Sequence, residues 1–573
     1  MKQAFNFIFI FFIGHLSFSQ TQNYGEAGFS KPMQLPFNLA GSFGEPRPDH
    51  FHSGIDIKTN GIEGEPVFSI YDGYISRIRV SPYGYGKAIY IMHPNGFTSV
   101  YGHLSRFNAI VERYVHLQHY QNKRSELDLV LDAAIFPVKQ NDTIAFSGNT
   151  GGSTAPHLHF EIRDSKTDFA LNPLDFYPKD FYVDTIPPKL NKIKIYKFDS
   201  DFYYANTAIY ALKKVTDFYT TEDPIAIDDN PRFCFSLEGF DKQDTSENKN
   251  GIYKIEVKNK NEIVFQYIMN KIDFNKTRMC NAFVDYDEMM KDRGYFYNCY
   301  QLRNNTFPIY TSDKGFFRID DKDTVELEIN CYDINENKTA LRFKFIRNDI
   351  EPAIDSSVNT DIFSLMVLSD SSSGIQNGNF KISFPKYCFY EDLYINTEKR
   401  INTNKEIQSD YYIVYFPDKI IPFQKSAIIE LKSMLKKYRS KTVIVKQDPK
   451  GKETALKTSF DKRTFYTETR ELGIFYLKYD TTKPFIKLLN FNSKDSTFTN
   501  QKIHVQITDN LSGIDVYNGY IDDHWINFYL DSKNDLLEYN FDEYCKTGEH
   551  NLKIIVTDNK GNKNIVTQKF NYK

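Results

Sequence analysis

The chain has 573 residues, 41% hydrophobic and 25% charged, and its 71 Lys+Arg nearly cancel its 74 Asp+Glu. That length holds about three to five domains, and the charge balance argues against a nucleic-acid partner, whose binding rests on a basic excess. Six cysteines exclude a scaffold built on disulfides, and 40 Tyr and 49 Phe against 28 Gly lean towards β structure.

The chain opens MKQAFNFIFIFFIGHLSFSQ. One Lys precedes an apolar run over Phe5–Ile13, and small residues stand at Ser17 and Ser19. This order predicts a signal peptide over residues 1–19, cleaved to leave Gln20 as the N-terminus. The run is shorter than the ~20 residues that span a bilayer. No cysteine near the cleavage point offers a lipid anchor, and no later stretch is apolar enough to cross. The expectation is an exported protein of the periplasm or cell envelope, with no transmembrane span in the mature chain.

Residues 25–180 read as the first domain. Strand-like runs at 66–70, 73–80 and 88–92 are separated by turn signals at Tyr71-Asp72-Gly73 and Pro94-Asn95-Gly96. A helix is predicted over 108–124, ending on the basic Lys123 and Arg124. Its His116 and His119 are read as surface or packing residues.

Beyond it, Asp184-Thr185-Ile186-Pro187-Pro188, Asp349-Ile350-Glu351-Pro352 and Asp480-Thr481-Thr482-Lys483-Pro484 read as extended joints, because proline restricts both itself and its predecessor. Short alternating strands between them, at 253–257, 325–329 and 553–556, predict β-sandwich modules over 187–348, 352–479 and 484–573. Two internal repeats support modules: DxxSGI at Asp370 and Asp509, and an Asp…Asn-Lys pattern at Asp333 and Asp558. Ser426 to Lys436 is taken as a helix within the third unit. Cys234, Cys280, Cys299 and Cys331 either pair in an oxidising compartment or remain buried thiols.

Eight of the 12 histidines fall between positions 50 and 159, so acid–base or metal chemistry is sought there. The first cluster is His50-Phe-His52-Ser-Gly54-Ile-Asp56. On a regular strand, positions four apart lie ~13 Å from each other, so Gly54 is needed as a bend that brings His52 to Asp56. The second is Gly148-Asn-Thr-Gly151-Gly152-Ser-Thr-Ala-Pro156-His157-Leu158-His159-Phe160-Glu161. A strand after Pro156 would project His157 and His159 from one face, about 7 Å apart at the backbone. Two His, one carboxylate and a position left for water make a hydrolytic zinc site. His103, in Tyr101-Gly102-His103-Leu104-Ser105, says little alone, and Glu161 is read as structural.

Residues from about Phe37 to Pro173 resemble the lysostaphin-type (LytM-type) zinc metallopeptidase family. The runs that carry the resemblance are HFHSGIDIKT, GEPVFSIYDGYISRI, YGYGKAIYIMHPNGFTSVYGHLS and GNTGGSTAPHLHFEIR. It implies Zn2+ held by His52, Asp56 and His159, with His103 and His157 flanking the water and substrate as catalytic residues. The implied architecture is mainly β: an antiparallel metallopeptidase domain with a helical insertion, followed by several modules that resemble bacterial immunoglobulin-like sandwiches.

The implied activity is a zinc metalloendopeptidase on peptidoglycan stem peptides or cross-links, whether glycine–glycine bridges or D-alanine–diaminopimelate links. A rival is a non-enzymatic envelope scaffold, or an activator of another cell-wall hydrolase, that binds an envelope protein partner through the tail. The first domain is expected to fold alone in a chain ending near Asp184, with the tail serving to position it.

Overall fold

The computed structural model describes residues 24–573 apart from 199–203, 228–231, 292, 312–313, 320–323, 348–363, 418, 434–436, 492–495 and 500–501. The expected signal peptide and the Asp349–Pro352 joint lie outside the described residues. Among those described, no helix is long and apolar enough to cross a membrane.

The first domain is built on β1 (Leu39–Gly41), β2 (Ile55–Lys58), β3 (Gly73–Val80), β4 (Lys87–Met92), β5 (Phe97–Leu104), α1 (Ala109–Asn122), β6 (Leu127–Val130) and β7 (His157–Asp164). Its main sheet is antiparallel, in the order β1-β2-β7-β5-β4-β3-β6. The helical insertion begins where Asn108 caps it, the side chain accepting from the Val111 amide at 3.0 Å. It ends at Lys123, whose φ of 48° turns the chain out of the helix.

The sequence of β7 explains its place at the centre of the sheet. Leu158, Phe160 and Ile162 are fully buried and fill the core side, so the intervening His157, His159, Glu161 and Arg163 share the opposite face. Pairing sets His159 opposite Asp56 of β2 on one side and Gly102 of β5 on the other.

The tail forms three units of two sheets each, and the whole chain is mainly β. Short helical turns at Phe274–Met279, Cys280–Phe283 and Tyr286–Met290 interrupt the second unit, and its strand composition gave no sign of them. The helix expected over Ser426–Lys436 is not formed: Ala427–Lys432 is a strand between Phe380–Phe384 and Thr464–Thr469. Ala427, Ile429 and Leu431 are buried while Ile428 and Lys432 are exposed, a period of two rather than 3.6. All six cysteines are buried, unpaired thiols.

The first and second units share one hydrophobic core. A single buried cluster runs from Met33 to Phe345 and takes in Tyr390 of the third unit, whereas separate clusters fill the rest of the third unit and the fourth. The strand Ala170–Leu171 pairs with Lys271–Ile272 across the boundary, and Phe51 stacks on Phe307 with ring centroids 4.6 Å apart and edge-on to Phe283 at 5.3 Å. A chain ending near Asp184 would bare that shared face.

The last unit folds back onto the first. Tyr120 of α1 stacks on Tyr544 at 3.9 Å and donates to Asp542, and Arg113 pairs with Glu543.

Candidate metal centre

His52 precedes β2 in a loop that lies flat against β7. At Gly54 a Cβ would sit 2.4 Å from the Phe160 carbonyl oxygen, so only glycine allows the approach that carries His52 over Asp56. His103, last but one in β5, has a φ of 58°, in the left-handed region where a histidine is strained. With His157 and His159 from β7, these residues line a single open groove of about 900 Å³. The five positions expected from the sequence therefore meet. His50, of the same first cluster, lies at the exposed rim against Asp49. His93 is buried away from the groove on the Asp72 carbonyl and Ser99. His119 donates to the Arg124 carbonyl below α1.

Each imidazole in the groove is oriented by an outward hydrogen bond. His52 Nδ1 donates to the Ser42 carbonyl at 2.7 Å, His103 Nδ1 to the Thr150 carbonyl at 2.8 Å and His157 Nδ1 to the Ala155 carbonyl at 2.8 Å. His159 Nε2 donates to Glu161 Oε1 at 2.9 Å. A carbonyl or carboxylate oxygen only accepts, so these bonds fix the tautomers and leave the inner nitrogens as lone-pair donors.

Three of the inner atoms converge. His52 Nε2 is 3.0 Å from Asp56 Oδ1 and 3.1 Å from His159 Nδ1, and His159 Nδ1 is 2.9 Å from Asp56 Oδ1. Two ring lone pairs and a carboxylate oxygen at such distances call for a positive charge between them. Burial opposes a charge on His159, but hydrogen bonds to Asp56 and Glu161 outweigh it and lift the imidazole to about 9. A proton fills that need in the bare chain; a metal ion displaces it. Two imidazoles and one carboxylate, each able to turn an unprotonated atom to one point, fit the donor set of zinc.

His157 Nε2 stands 3.3 Å from the same Asp56 oxygen, buried and without a hydrogen-bond donor. The His103 ring lies 4.7 Å from His157, centroid to centroid. Burial first, then His159 and His157, push His103 down to about 3, so its ring is neutral.

Glu161, read from the sequence as structural, supports His159 from below. It is fully buried, accepting from His159, from Ser53 Oγ at 2.6 Å, from Tyr85 OH at 2.5 Å and from Arg163 Nε at 2.6 Å. Such outer partners fix ligand orientation in metal sites. The signal for Glu161 was present as HxHxE, three alternate positions on one strand face. Nothing local pointed to Tyr85 or Ser53.

Residues 50–121 match peptidase family M23 and residues 365–480 match a Zu5-like domain. DD-carboxypeptidase/endopeptidase Mpg of Neisseria meningitidis serogroup B is 35% identical over 112 residues, 20% of each chain. Lysostaphin of Staphylococcus simulans is 31% identical over 171 residues, 28% of this chain and 30% of its own. Peptidoglycan DD-endopeptidase ShyB of Vibrio cholerae is 30% identical over 151 residues, 25% of this chain and 30% of its own. The chain thus spans about a fifth to a third of the length of these relatives. Among solved structures, the catalytic domain of the prophage-encoded M23 protein EnpA from Enterococcus faecalis has 25% identity and a TM-score of 0.19, covering 25% of this chain and 95% of that one. The first domain of this chain is a peptidase family M23, LytM-type, domain, and its tail carries a Zu5-like domain.

Proposed function

We propose that the chain is an exported zinc-dependent endopeptidase of the periplasm or cell envelope, cleaving peptide bonds in peptidoglycan stem peptides or cross-links. The observation that carries the reading is the meeting of His52 Nε2, His159 Nδ1 and Asp56 Oδ1 with their outer atoms already pinned. The substrate class comes from the relatives, one of them a peptidoglycan DD-endopeptidase and another a glycyl-glycine endopeptidase.

His52, Asp56 and His159 hold the ion in this reading. Bound zinc supplies Lewis acidity, polarising a scissile carbonyl and lowering the pKa of water towards ~7. His103 and His157 are the catalytic residues. Their Nδ1 atoms are tied to backbone carbonyls, so Nε2 of each is the atom that orients attacking water or accepts its proton. In protonated form the same atom stabilises the developing oxyanion or protonates the departing amine. Glu161 holds one His159 proton on Nε2, so that Nδ1 faces the ion.

The test is zinc content together with release of peptides from purified peptidoglycan. About one zinc per chain and soluble peptides bearing new termini are expected. A folded, zinc-loaded protein that releases none would favour the non-enzymatic scaffold.

A further inference from the structure

A second buried cluster lies where the first domain passes into the tail. Carboxylate oxygens of Asp184, Asp241 and Asp333 lie within 4.8 Å of one another. Asp184 belongs to the joint, Asp241 follows the strand Arg232–Phe240, and Asp333 begins the turn between the strands Thr324–Tyr332 and Lys338–Arg347. Their exposures are 6%, 3% and 2%. Three carboxylates drawn from three places in the chain into so little volume repel one another and lose hydration.

The surroundings relieve this only in part: Asn337 donates to Asp333, and the Ile186 amide donates to Asp184 at 3.0 Å. Asp241 Oδ1 has no hydrogen-bond partner, nor does either side-chain polar atom of Asn250, which is 2% exposed. Asn250 faces Asp241 directly across a bridge closed by two backbone hydrogen bonds of 3.0 and 2.8 Å. Unmet oxygens on a buried carboxylate and on its cross-strand amide point to a missing partner. Lys179, the cation acting on Asp333, is itself exposed and paired with Glu336 at 3.7 Å. Burial first, then Asp184 and Asp333, push the Asp241 carboxyl up to about 9.

The frame that holds the trio is built twice in the chain. Asn337 donates its amide N–H to Asp333 at 2.8 Å and its side chain to Asp333 at 2.7 Å and to the Asp184 carbonyl at 2.9 Å. Asn562 makes the same bonds to Asp558 at 2.8 and 2.7 Å and to the Asp480 carbonyl at 3.0 Å, beside Asp509. In that copy Lys560 stands within electrostatic reach of Asp480 and Asp558.

We propose that Asp184, Asp241 and Asp333, with the Asn250 side-chain carbonyl, bind a hard divalent cation of the calcium type. An all-oxygen donor set spread over irregular loops suits calcium, which tolerates flexible geometry, better than zinc or octahedral magnesium.

The site is placed to brace the cleft. Asp241 and Asn250 bracket the loop 242–249, from which Gln243 grips the Leu39 amide at 3.0 Å and the Phe37 carbonyl at 2.7 Å, and Ser246 the Leu39 carbonyl at 2.9 Å. The amide of Gly251 holds Ser42 Oγ at 2.9 Å, and the Ser42 carbonyl orients His52. The cation therefore locks the joint to the loop that supports β1.

The test titrates CaCl2 into zinc-loaded mature protein stripped of other divalent cations, by calorimetry and thermal melting, for wild type, Asp241→Asn and Asp333→Asn. Each variant should bind one equivalent of calcium fewer than wild type. Without calcium, Asp241→Asn should melt no lower than wild type, since it replaces a carboxyl whose charged form burial already disfavours and keeps the shape. With about 1 mM calcium the order should invert, wild type melting several degrees higher. Equal calcium stoichiometry in all three, or no calcium-dependent rise in wild type, would overturn the proposal and leave a trio held together by shared protons. Zinc content is read separately, so failure here leaves the zinc reading standing, and the reverse holds too.

Discussion

The floor and the walls of the groove are made in different ways. On the floor, Asp56 and His159 face each other through the pairing of β2 with β7, and Glu161 two positions along orients His159. Everything needed lies within one sheet. The walls come from far along the chain. The loop carrying His52 is pinned where Phe51 enters the second unit between Phe283 and Phe307. On the other side, Lys533 of the last unit donates to the Asn149 and Ser153 carbonyls of the glycine-rich loop at 2.8 and 3.0 Å. Ser153 Oγ in turn stands 3.2 Å from His157 Nδ1. Donor chemistry is thus a property of local strand register, while the setting of His52 and His157 depends on the tail.

Cutting the chain after Asp184 attacks that dependence hardest. It removes the partners of Phe51, the strand beside Ala170–Leu171 and the whole far side of the shared core. Stranding Phe51 alone is worth ~3 kcal/mol, against a total stability of ~5–15 kcal/mol for a typical domain. The shortened chain should be aggregated or lack a cooperative melt by circular dichroism. A sharp melt with bound zinc would show that the walls are dispensable.

Within the floor, the two histidines of β7 should separate. His159→Ala removes a donor and should lose both zinc and hydrolysis, with activity down by roughly 10³-fold or more. His157→Ala should retain zinc by elemental analysis and lose roughly 10²–10⁴-fold in kcat. The opposite metal pattern would exchange the roles of the pair. Glu161→Gln probes the support beneath them. It leaves Arg163 without its buried counter-charge and weakens the hold on the His159 tautomer. Zinc affinity should fall by about 10–100-fold, read by competition with a chelating dye, and the protein should lose ~3 kcal/mol in denaturant melts.

Lys533→Ala should act least. One exposed and one partly buried hydrogen bond are worth about 1 kcal/mol together, so zinc content should be unchanged and kcat/KM on a soluble peptide should change by no more than about fivefold. A loss beyond a hundredfold would make the last unit part of the catalytic wall rather than a brace.

How much could be read beforehand follows the same division. The alternation of His157, His159 and Glu161 is a period of two written in eight consecutive residues, and strands such as Gly73–Val80 carry their own turn signals. The capped α1 was legible for the same reason. Local pattern misled at Ala427–Lys432, where the strand's period of two was read as a helix. It was silent wherever the partner is remote: Tyr85 reaching Glu161, Gln243 on β1, or Tyr120 meeting Asp542 more than four hundred residues later. Hydrogen bonds of that kind leave no periodicity in the sequence, since any polar side chain in a loop could make them.

The central claim is that His52, Asp56 and His159 form one cation-demanding centre. Asp56 is its common vertex, its Oδ1 lying within 3.3 Å of three imidazole nitrogens. Zinc per chain, measured on wild type and Asp56→Ala purified side by side together with hydrolysis of a peptidoglycan peptide, tests it most directly. About one zinc in wild type, with little zinc and no turnover in the variant, is the predicted result. Full zinc occupancy and undiminished hydrolysis in Asp56→Ala would contradict it.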